Sequence, residues 1–286
     1  MKYTLNQFNA QFPTEDVCLE FLKDARWPDG IYCDTCQKVT KHHRVASRRS
    51  YSCDYCGHHV HPTAGTIFHK SVTPLRSWFY AMFQMASTRM GVSAKQLERE
   101  LGVTYKTAWR MFREIRTLMD EDRPLLTGTI EMDETYVGGK GRGRGHVENK
   151  TIVVGAVQRG SGARTRVTNS TAKKEFGTFV AANVSPDAEA IYTDEHQSFV
   201  KLPTGMARHE TVNHSKDEWA RGNVHTNSIE GFWSIAKGGI RGVYRHVEPR
   251  YLQSYMNEYG FRYSHRKDVQ PMFSALMSRV SACAQA

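Results

Sequence analysis

The sequence predicts an α/β chain in which two small segments precede a larger mixed α/β domain. Two CxxC pairs lie in the first segment, short helical patterns follow, and the remaining half alternates apolar strand patterns with helical ones. We expect boundaries near residues 72 and 122, giving domains at residues 1–72, 73–122 and 123–286. At 286 residues the chain is long enough for one to three domains with buried cores.

The composition favours a polyanionic partner. Lys and Arg number 39 against 29 Asp and Glu, which gives a formal net charge of +10. Such an excess favours binding to nucleic acid, with an affinity that falls steeply as salt rises. No apolar run reaches the roughly 18 residues of a membrane span, and the first residues lack the apolar core of a signal peptide. We therefore expect an intracellular protein with no membrane partner, whose cysteines form no disulfides.

Four of the six cysteines form two CxxC pairs, Cys33 with Cys36 and Cys53 with Cys56, and 16 residues separate the pairs. This spacing is typical of a Cys₄ zinc ribbon, because two such turns complete a tetrahedron of thiolates. Four protein ligands close the site to substrate, so one structural Zn²⁺ is expected. A redox pair is the competing interpretation, but no βαβ pattern surrounds either turn. One of the histidines at residues 58–61 could replace a cysteine ligand.

The second segment predicts a helix-turn-helix. An apolar helix at residues 74–85 precedes shorter helices at residues 94–101 and 105–116, with Gly102 in the last turn and Thr104 as a cap. The last helix should bury a stripe of apolar residues, namely Ala108, Trp109, Phe112 and Ile115. Its opposite face should enter the major groove of DNA through Lys106, Arg110 and Arg113. A basic outer helix also occurs in small helical domains that bind no DNA.

The third segment predicts strands at residues 130–137, 151–157 and 164–168, a helix at residues 173–184, a strand that ends at Asp194, and a further helix. This β-β-β-α-β-α order is that of RNase-H-like domains, the fold of the retroviral integrase superfamily. It would place the first and fourth strands side by side. The Gly-rich segment after the first strand should form a hairpin tip that touches DNA or stays mobile. Its basic residues are Lys140, Arg142 and Arg144.

Three acidic residues carry the predicted chemistry. Asp133 lies in the first strand, Asp194 ends the fourth, and Glu230 follows 35 residues later in the next helix. In-line attack on a phosphodiester uses two divalent cations about 4 Å apart, and such cations prefer carboxylate oxygens. The spacing therefore predicts a DDE site with two Mg²⁺ or Mn²⁺ ions, although three of 29 acids can also fall at this spacing by chance.

Neighbouring residues on the predicted helix suggest further roles. Asn227 lies three residues before Glu230 and shares its face. Because it also stands at the start of the predicted helix, it could instead be the cap. Lys237 lies two turns beyond Glu230, and with Arg241 it would contact DNA phosphate. A carboxylate that binds metal, followed by cations that bind phosphate, is a coherent catalytic arrangement.

Strand alternation separates the other acids of the first strand. Glu131 shares the face of Asp133 and could support the metal ligands, whereas Glu134 is expected on the opposite face. We interpret Trp219 and Trp233 as structural rather than catalytic residues.

Taken together, these motifs resemble bacterial insertion-sequence transposases of insertion sequence family 1595, which are related to Merlin elements. The resemblance covers nearly the whole chain and includes both CxxC pairs and residues 12–15, 26–30, 63–68, 74–79, 133–139, 192–194, 225–234 and Lys237. It implies that Asp133, Asp194 and Glu230 hold the metals and that Lys237 assists strand binding. Some members carry asparagine as the third ligand, so Asn227 remains a rival to Glu230.

The resemblance also implies the activity. Such a transposase binds the terminal inverted repeats of its element, cuts the ends and joins them to target DNA. Two ends must meet, so at least a homodimer on DNA is expected, in the bacterial cytoplasm near the nucleoid. Two alternatives stay open: a regulator that binds DNA through the ribbon and helix-turn-helix without catalysis, and a structure-selective RNase-H-like nuclease that cuts without joining.

Overall fold

The computed structural model describes residues 3–120, 124–138, 150–199, 202 and 208–282. The helices are α1 (Leu5–Gln11), α2 (Glu15–Arg26), α3 (Leu75–Ser87), α4 (Ala94–Leu101), α5 (Tyr105–Thr117), α6 (Lys173–Asn183), α7 (Asn227–Gly239), α8 (Pro249–His265) and α9 (Met272–Ala282). The strands are β1 (Ile31–Cys33), β2 (Lys38–Thr40), β3 (His42–Val45), β4 (Ser50–Cys53), β5 (His59–Val60), β6 (Thr129–Val137), β7 (Thr151–Gln158), β8 (Ala163–Thr168), β9 (Ala190–Thr193) and β10 (Arg208–Thr211). Within these ranges, no helix has both the length and the apolar character to cross a lipid bilayer.

The chain forms two compact units. Unit 1 contains Met1–Thr88, Ala94–Leu118 and Asp268–Ala286, and unit 2 contains Arg89–Ser93 and Met119–Lys267. The division into three domains at residues 72 and 122 stays a prediction. The structure nevertheless places α9 in unit 1, whereas the sequence assigned this helix to the C-terminal domain. The reason is an aromatic cluster, in which Phe273 of α9 packs against Phe8, Phe12 and Phe83.

Unit 1 contains the predicted sequence of short helices. The Thr104 hydroxyl accepts a hydrogen bond from the amide of Thr107, as expected of a cap, and Gly102 adopts a φ of +65° in the turn before α5. The buried stripe of α5 consists of Ala108, Met111, Phe112, Ile115 and Arg116. Trp109, expected in the core, is only partly buried and lies against the guanidinium of Arg113. Met111, rather than Trp109, is therefore the buried residue of the stripe at this level of the helix.

Unit 2 is built on a five-stranded sheet of order β10-β9-β6-β7-β8. β6 pairs in parallel with β9 and antiparallel with β7, and β7 pairs antiparallel with β8. The strand and helix order predicted from the sequence is present, with bounds that differ by one or two residues. β10 was not predicted, because its four residues, Arg208–Thr211, show no apolar alternation.

Each face of this sheet is covered by helices. On one face, Ile130 and Met132 of β6 share a core with Phe176 and Phe179 of α6. On the other, Val153 and Val157 of β7 belong to a core that also contains residues of α7 and α8. Because side chains alternate along β6, Glu131 and Asp133 point toward the α7 face. This packing places the carboxylates of Glu131 and Asp133 against α7.

Candidate active site

Asp133 and Asp194 meet where the pairing of β6 with β9 ends. Their carboxylates and that of Glu134 each offer an oxygen atom, and these three atoms all lie within 4.8 Å of one another. The parallel pairing of β6 with β9 explains the meeting, because it ends at Glu131 opposite Tyr192. Asp133 and Asp194 therefore follow the last paired residues on two strands that run in the same direction. The sequence predicted this juxtaposition.

Glu134 is the residue that strand alternation set apart from Asp133. The structure brings its carboxylate into the cluster, since in the described part of the chain β6 pairs with no strand on the β9 side beyond Glu131 and the Glu134 side chain can reach around that edge. The side chain is 9% exposed, and its Oε1 lies 4.0 Å from Nε2 of His196. No residue type in the sequence indicates that Glu134 joins the cluster. Its position follows from the short parallel pairing of β6 with β9, which covers only three residue pairs.

Asp133 is held in a definite orientation. The indole Nε1 of Trp233 donates to Asp133 Oδ2 at 3.0 Å, so this tryptophan contacts the site directly. Burial, followed by the negative charges of Glu134 and Asp194, raises the pKa of Asp133 to about 8. Burial also raises the pKa of Glu134. Three close carboxylates of this kind fit a hard divalent cation, whose preferred ligands are carboxylate oxygens.

Glu131 fixes the position of α7 on β6. It is fully buried, and its carboxylate accepts hydrogen bonds from the backbone amides of Ser228 and Ile229 at 2.6 and 3.0 Å. Arg159 donates to it through Nε at 2.6 Å. A carboxylate at a helix N-terminus is stabilised by the free amides and the helix dipole. Asn227, expected as a possible cap, is instead the first helical residue and its side chain is exposed.

Glu230 lies on the exposed side of the first turn of α7. Its Oε1 accepts a hydrogen bond from the hydroxyl of Thr226 at 2.7 Å. Among the described residues, the cluster of carboxylates comprises Asp133, Glu134 and Asp194, and Glu230 lies outside it. Its predicted role as a metal ligand therefore stays a prediction.

Lys237 opens onto a basic cavity of about 730 Å³. The side chain is half-buried, and this burial lowers the pKa of its ammonium group while the charge of Asp133 opposes the shift. The other cationic or titratable basic residues that line the cavity are Lys150, Arg241, Arg245 and His246. Lys237 thus lines a pocket suited to an anion and also interacts electrostatically with Asp133 of the acidic cluster.

The remaining predicted DNA contacts fall into two groups. Lys106, Arg110 and Arg113 are all exposed on α5, and Arg113 also forms an ion pair with Glu114 at 2.6 Å. Lys140, Arg142 and Arg144 lie outside the described residues.

The four cysteines of the CxxC pairs form a second cluster, in unit 1. Their sulfur atoms all lie within 4.8 Å of one another, with Cys33 and Cys56 3.5 Å apart and Cys36 and Cys53 3.9 Å apart. A tetrahedral zinc site with Zn–S bonds of about 2.3 Å requires sulfur atoms about 3.8 Å apart. A hydrogen bond with the Thr40 hydroxyl lowers the pKa of Cys53 to about 5, which favours the thiolate. No histidine belongs to this cluster in the described part of the chain.

Comparison with known proteins agrees with both clusters. Residues 125–264 match the ISXO2-like transposase domain, and residues 13–59 match the transposase zinc-ribbon domain. The chain is also 30% identical over 267 residues to an uncharacterized protein in transposable element ISH50 of Halobacterium salinarum, which covers 85% of this chain and 90% of that protein. The chain belongs to the ISXO2-like transposase family.

The matches cover both candidate sites. The transposase domain contains the two aspartates, Glu230 and Lys237, and the zinc-ribbon domain contains all four clustered cysteines. Both matched domains are those of the insertion sequence 1595 group. The family predicted from the motifs is therefore confirmed. This transposase therefore contains a zinc ribbon and a DDE domain in one mixed α/β chain.

Proposed function

We propose that this transposase binds the terminal inverted repeats of an insertion sequence, cuts the DNA at the ends of the element and joins those ends to target DNA. One observation carries the proposal. Asp133 and Asp194 come from separate strands and meet, and the charge of Asp133 acts on Lys237, which lines a cavity together with Arg241. Adjacent cation-binding and phosphate-binding surfaces are what phosphodiester chemistry requires.

The proposed fold of residues 123–267 is RNase-H-like. Three strands, a helix and a fourth strand parallel to the first support this assignment. Such folds carry many functions, so the carboxylates rather than the topology support the activity.

Asp133 and Asp194 would hold two Mg²⁺ or Mn²⁺ ions, with Glu230 as the third ligand that the family resemblance implies. A pair of divalent cations would activate the attacking oxygen and stabilise the leaving oxygen of an in-line displacement. The chain's own residues prepare this site. Trp233 orients Asp133, and Glu131 anchors the helix that carries both Trp233 and Glu230.

DNA would contact both units. In unit 1, α4 and α5 would act as a helix-turn-helix, with Lys106, Arg110 and Arg113 directed toward the major groove. In unit 2, Lys237 and Arg241 would hold the backbone near the scissile phosphate. Such contacts displace counterions from the DNA, so binding should weaken steeply as salt rises.

The reaction would proceed in two displacements at the same site. First, water would attack the phosphorus at the element end, so that a P–O bond to the water oxygen forms as the P–O3′ bond breaks, leaving a 3′-hydroxyl on the element and a 5′-phosphate on the flanking DNA. That hydroxyl then attacks a target phosphodiester, forming a new P–O bond and releasing a target 3′-hydroxyl. Because two ends must be joined, the active form would be a homodimer or a larger assembly on DNA.

The test is a joining assay with the purified chain, a labelled DNA end of its element and a plasmid target. We expect joined product with Mg²⁺, none without it, and none from Asp194→Ala, which should still bind the labelled end because base and backbone contacts lie elsewhere. An exposed residue of the preceding turn provides the matched control, Asp187→Ala. Cutting without joining would instead indicate a nuclease, and binding alone would indicate a regulator.

A further inference from the structure

The acidic cluster contains a buried carboxylate oxygen without a hydrogen-bond partner. This atom is Oε2 of Glu134, whose side chain is only 9% exposed. The other oxygen, Oε1, lies 4.0 Å from His196 Nε2, beyond hydrogen-bonding distance. Buried carboxylates are normally paired, hydrogen-bonded or bound to a metal. Among the described residues, Oε2 of Glu134 therefore has no hydrogen-bond donor, and the contact of Oε1 with His196 is an ion pair at the long distance of 4.0 Å.

The two aspartates of the cluster differ from Glu134 in this respect. Asp133 Oδ2 accepts a hydrogen bond from Trp233, and Asp194 Oδ1 accepts one from the backbone amide of His196 at 3.0 Å. Both aspartates are thus oriented by the protein. Glu134 shares the cluster, but its Oε2 is not held by any protein donor in the described structure.

We propose that Glu134 is a further ligand of the divalent-cation site, acting beside Asp133 and Asp194. The proposal rests on the metal-dependent function proposed above. It assigns a role to a residue that strand alternation would place on the wrong face. It also explains why a carboxylate is buried against two others of the same charge, since a shared cation would turn their repulsion into attraction.

The distances suit this assignment. Oxygen atoms bound to one Mg²⁺ at about 2.1 Å lie about 3 Å apart when adjacent and about 4.2 Å apart when opposite. The three carboxylate oxygens lie within 4.8 Å of one another, so small side-chain rotations would bring them onto one ion. A glutamate side chain has three rotatable bonds, and Glu134 lacks hydrogen bonds that would resist such a rotation at Oε2.

The test measures Mn²⁺ binding to the zinc-loaded full chain, without DNA, by electron paramagnetic resonance of the free ion. Mn²⁺ prefers oxygen ligands, whereas the thiolates of the ribbon prefer zinc, so the signal reports on the carboxylates. Loss of a residue that merely supports a ligand costs roughly 10- to 100-fold in metal affinity. We therefore expect Glu134→Gln to weaken Mn²⁺ binding at least about tenfold, as Asp194→Asn should.

The control variant is Glu175→Gln, which removes a half-exposed carboxylate of α6 in the same unit and should leave Mn²⁺ binding unchanged. Glu134→Asp keeps the charge but shortens the side chain, so its affinity should fall between wild type and Glu134→Gln. Thermal melting without added divalent metal establishes that each variant is folded. If Glu134→Gln does not fold, Glu134→Asp decides the question.

The outcomes separate this inference from the proposed function. If Asp194→Asn weakens Mn²⁺ binding but Glu134→Gln matches wild type, the cation site exists and Glu134 is not a ligand. If the wild-type chain binds no Mn²⁺ at millimolar concentration, the metal-dependent function and the role of Glu134 both fail.

Discussion

The two ligand clusters of this transposase are assembled in different ways. Each CxxC pair spans four residues and closes a turn with a backbone hydrogen bond, from Gln37 to Cys33 and from Gly57 to Cys53. In both turns the residue after the second cysteine has a positive φ, +55° at Gln37 and +73° at Gly57. The carboxylates instead meet because β6 and β9 pair in parallel and this pairing ends at Glu131 and Tyr192, two residues before each aspartate. Local turns build one cluster and long-range pairing builds the other.

This difference has energetic consequences. The four thiolates can enclose one soft ion completely, and such a metal contributes directly to the stability of its fold. The three carboxylates leave an open site, in which burial and the negative charges of Glu134 and Asp194 raise the pKa of Asp133. Unit 1 should therefore depend on its metal for folding, whereas unit 2 should fold without one and need metal for chemistry.

The largest expected effect is on zinc binding. Apparent binding free energies of structural zinc are about 10–16 kcal/mol in zinc-finger peptides, and this energy is folding energy. We expect Cys53→Ser to lose zinc, unfold the ribbon and abolish DNA-end binding. Atomic absorption and thermal melting measure the first two effects, and a gel-shift assay measures the third.

A buried cysteine of the same unit provides the matched control. Cys18 lies in α2, outside the cluster, and burial raises the pKa of its thiol to about 12. Cys18→Ala should keep one zinc per chain. Full zinc content and wild-type melting in Cys53→Ser would show that the two clusters do not differ in the way described.

The next effect concerns the third ligand of the open site. Glu230 lies three residues before Trp233 on α7, so the two side chains are neighbours on the helix surface, and Trp233 contacts Asp133. A carboxylate is also a better ligand for Mg²⁺ than an amide. We expect Glu230→Gln to slow end cleavage about 10³-fold or more, because metal catalysis supplies several kcal/mol and each 1.4 kcal/mol is about tenfold.

Asn227→Ala is the paired variant and should slow cleavage far less, with end binding unchanged in both proteins. The reverse order of effects would make Asn227 the third ligand. Single-turnover cleavage of a labelled end at saturating Mg²⁺ measures both variants on one scale.

The sequence predicted what local patterns and strand order determine. The four cysteines follow from spacing alone, and the meeting of Asp133 with Asp194 follows from placing the first and fourth strands side by side. Glu134 was not predicted to join them, because alternation places its Cβ on the face opposite that of Asp133. Its carboxylate reaches the cluster past the edge of β6 that β9 leaves unpaired after Glu131.

Long-range packing accounts for the other differences. α9 belongs to unit 1 because Phe273 fits an aromatic cluster that is formed largely by α1 and α3, and no pattern near α9 indicates that partner. Glu131 was expected near the metal ligands. Its role as the cap of α7 depends on a contact between residues almost 100 positions apart. Such contacts leave no periodic signal in the sequence.

A third prediction concerns this cap. Glu131→Ala removes the acceptor of the Ser228 and Ile229 amides and leaves Arg159 without its buried partner. Breaking a buried, hydrogen-bonded ion pair costs about 3 kcal/mol or more. We expect a loss of about 3 kcal/mol in the free energy of unfolding of unit 2, measured by urea denaturation, and slower cleavage because α7 carries Trp233.

Glu189→Ala provides the comparison. Glu189 is exposed and accepts a hydrogen bond from the hydroxyl of Thr129. Its removal should change the free energy of unfolding by no more than about 0.5 kcal/mol. Equal effects of the two variants would show that α7 is held by its apolar face alone.

The smallest effect is a pH dependence of the free energy of unfolding, caused by Asp133 of the carboxylate cluster. The pKa of Asp133 rises from an ordinary value of 3.8 to about 8 in the folded chain without metal. The folded state therefore binds this proton more tightly than the unfolded state. The resulting stabilisation is complete below pH 3.8 and is lost as pH rises toward and through 8, with a slope of at most about 1.4 kcal/mol per pH unit. Between pH 6 and 8 the loss should be about 1–3 kcal/mol.

Asp133→Asn tests this directly, because an amide does not titrate and retains an oxygen that can accept the Trp233 hydrogen bond. Without added Mg²⁺ or Mn²⁺, the free energy of unfolding of this variant should depend less on pH between 6 and 8 than that of wild type. The groups around Asp133, namely Glu134, Asp194, His196 and Lys237, remain in both proteins, so the difference isolates one carboxyl group. Parallel curves would mean that Asp133 is ionised at neutral pH without a metal. The cluster of Asp133, Glu134 and Asp194 would then hold its negative charges without a metal. It would differ from the zinc ribbon only in needing its metal for catalysis rather than for folding.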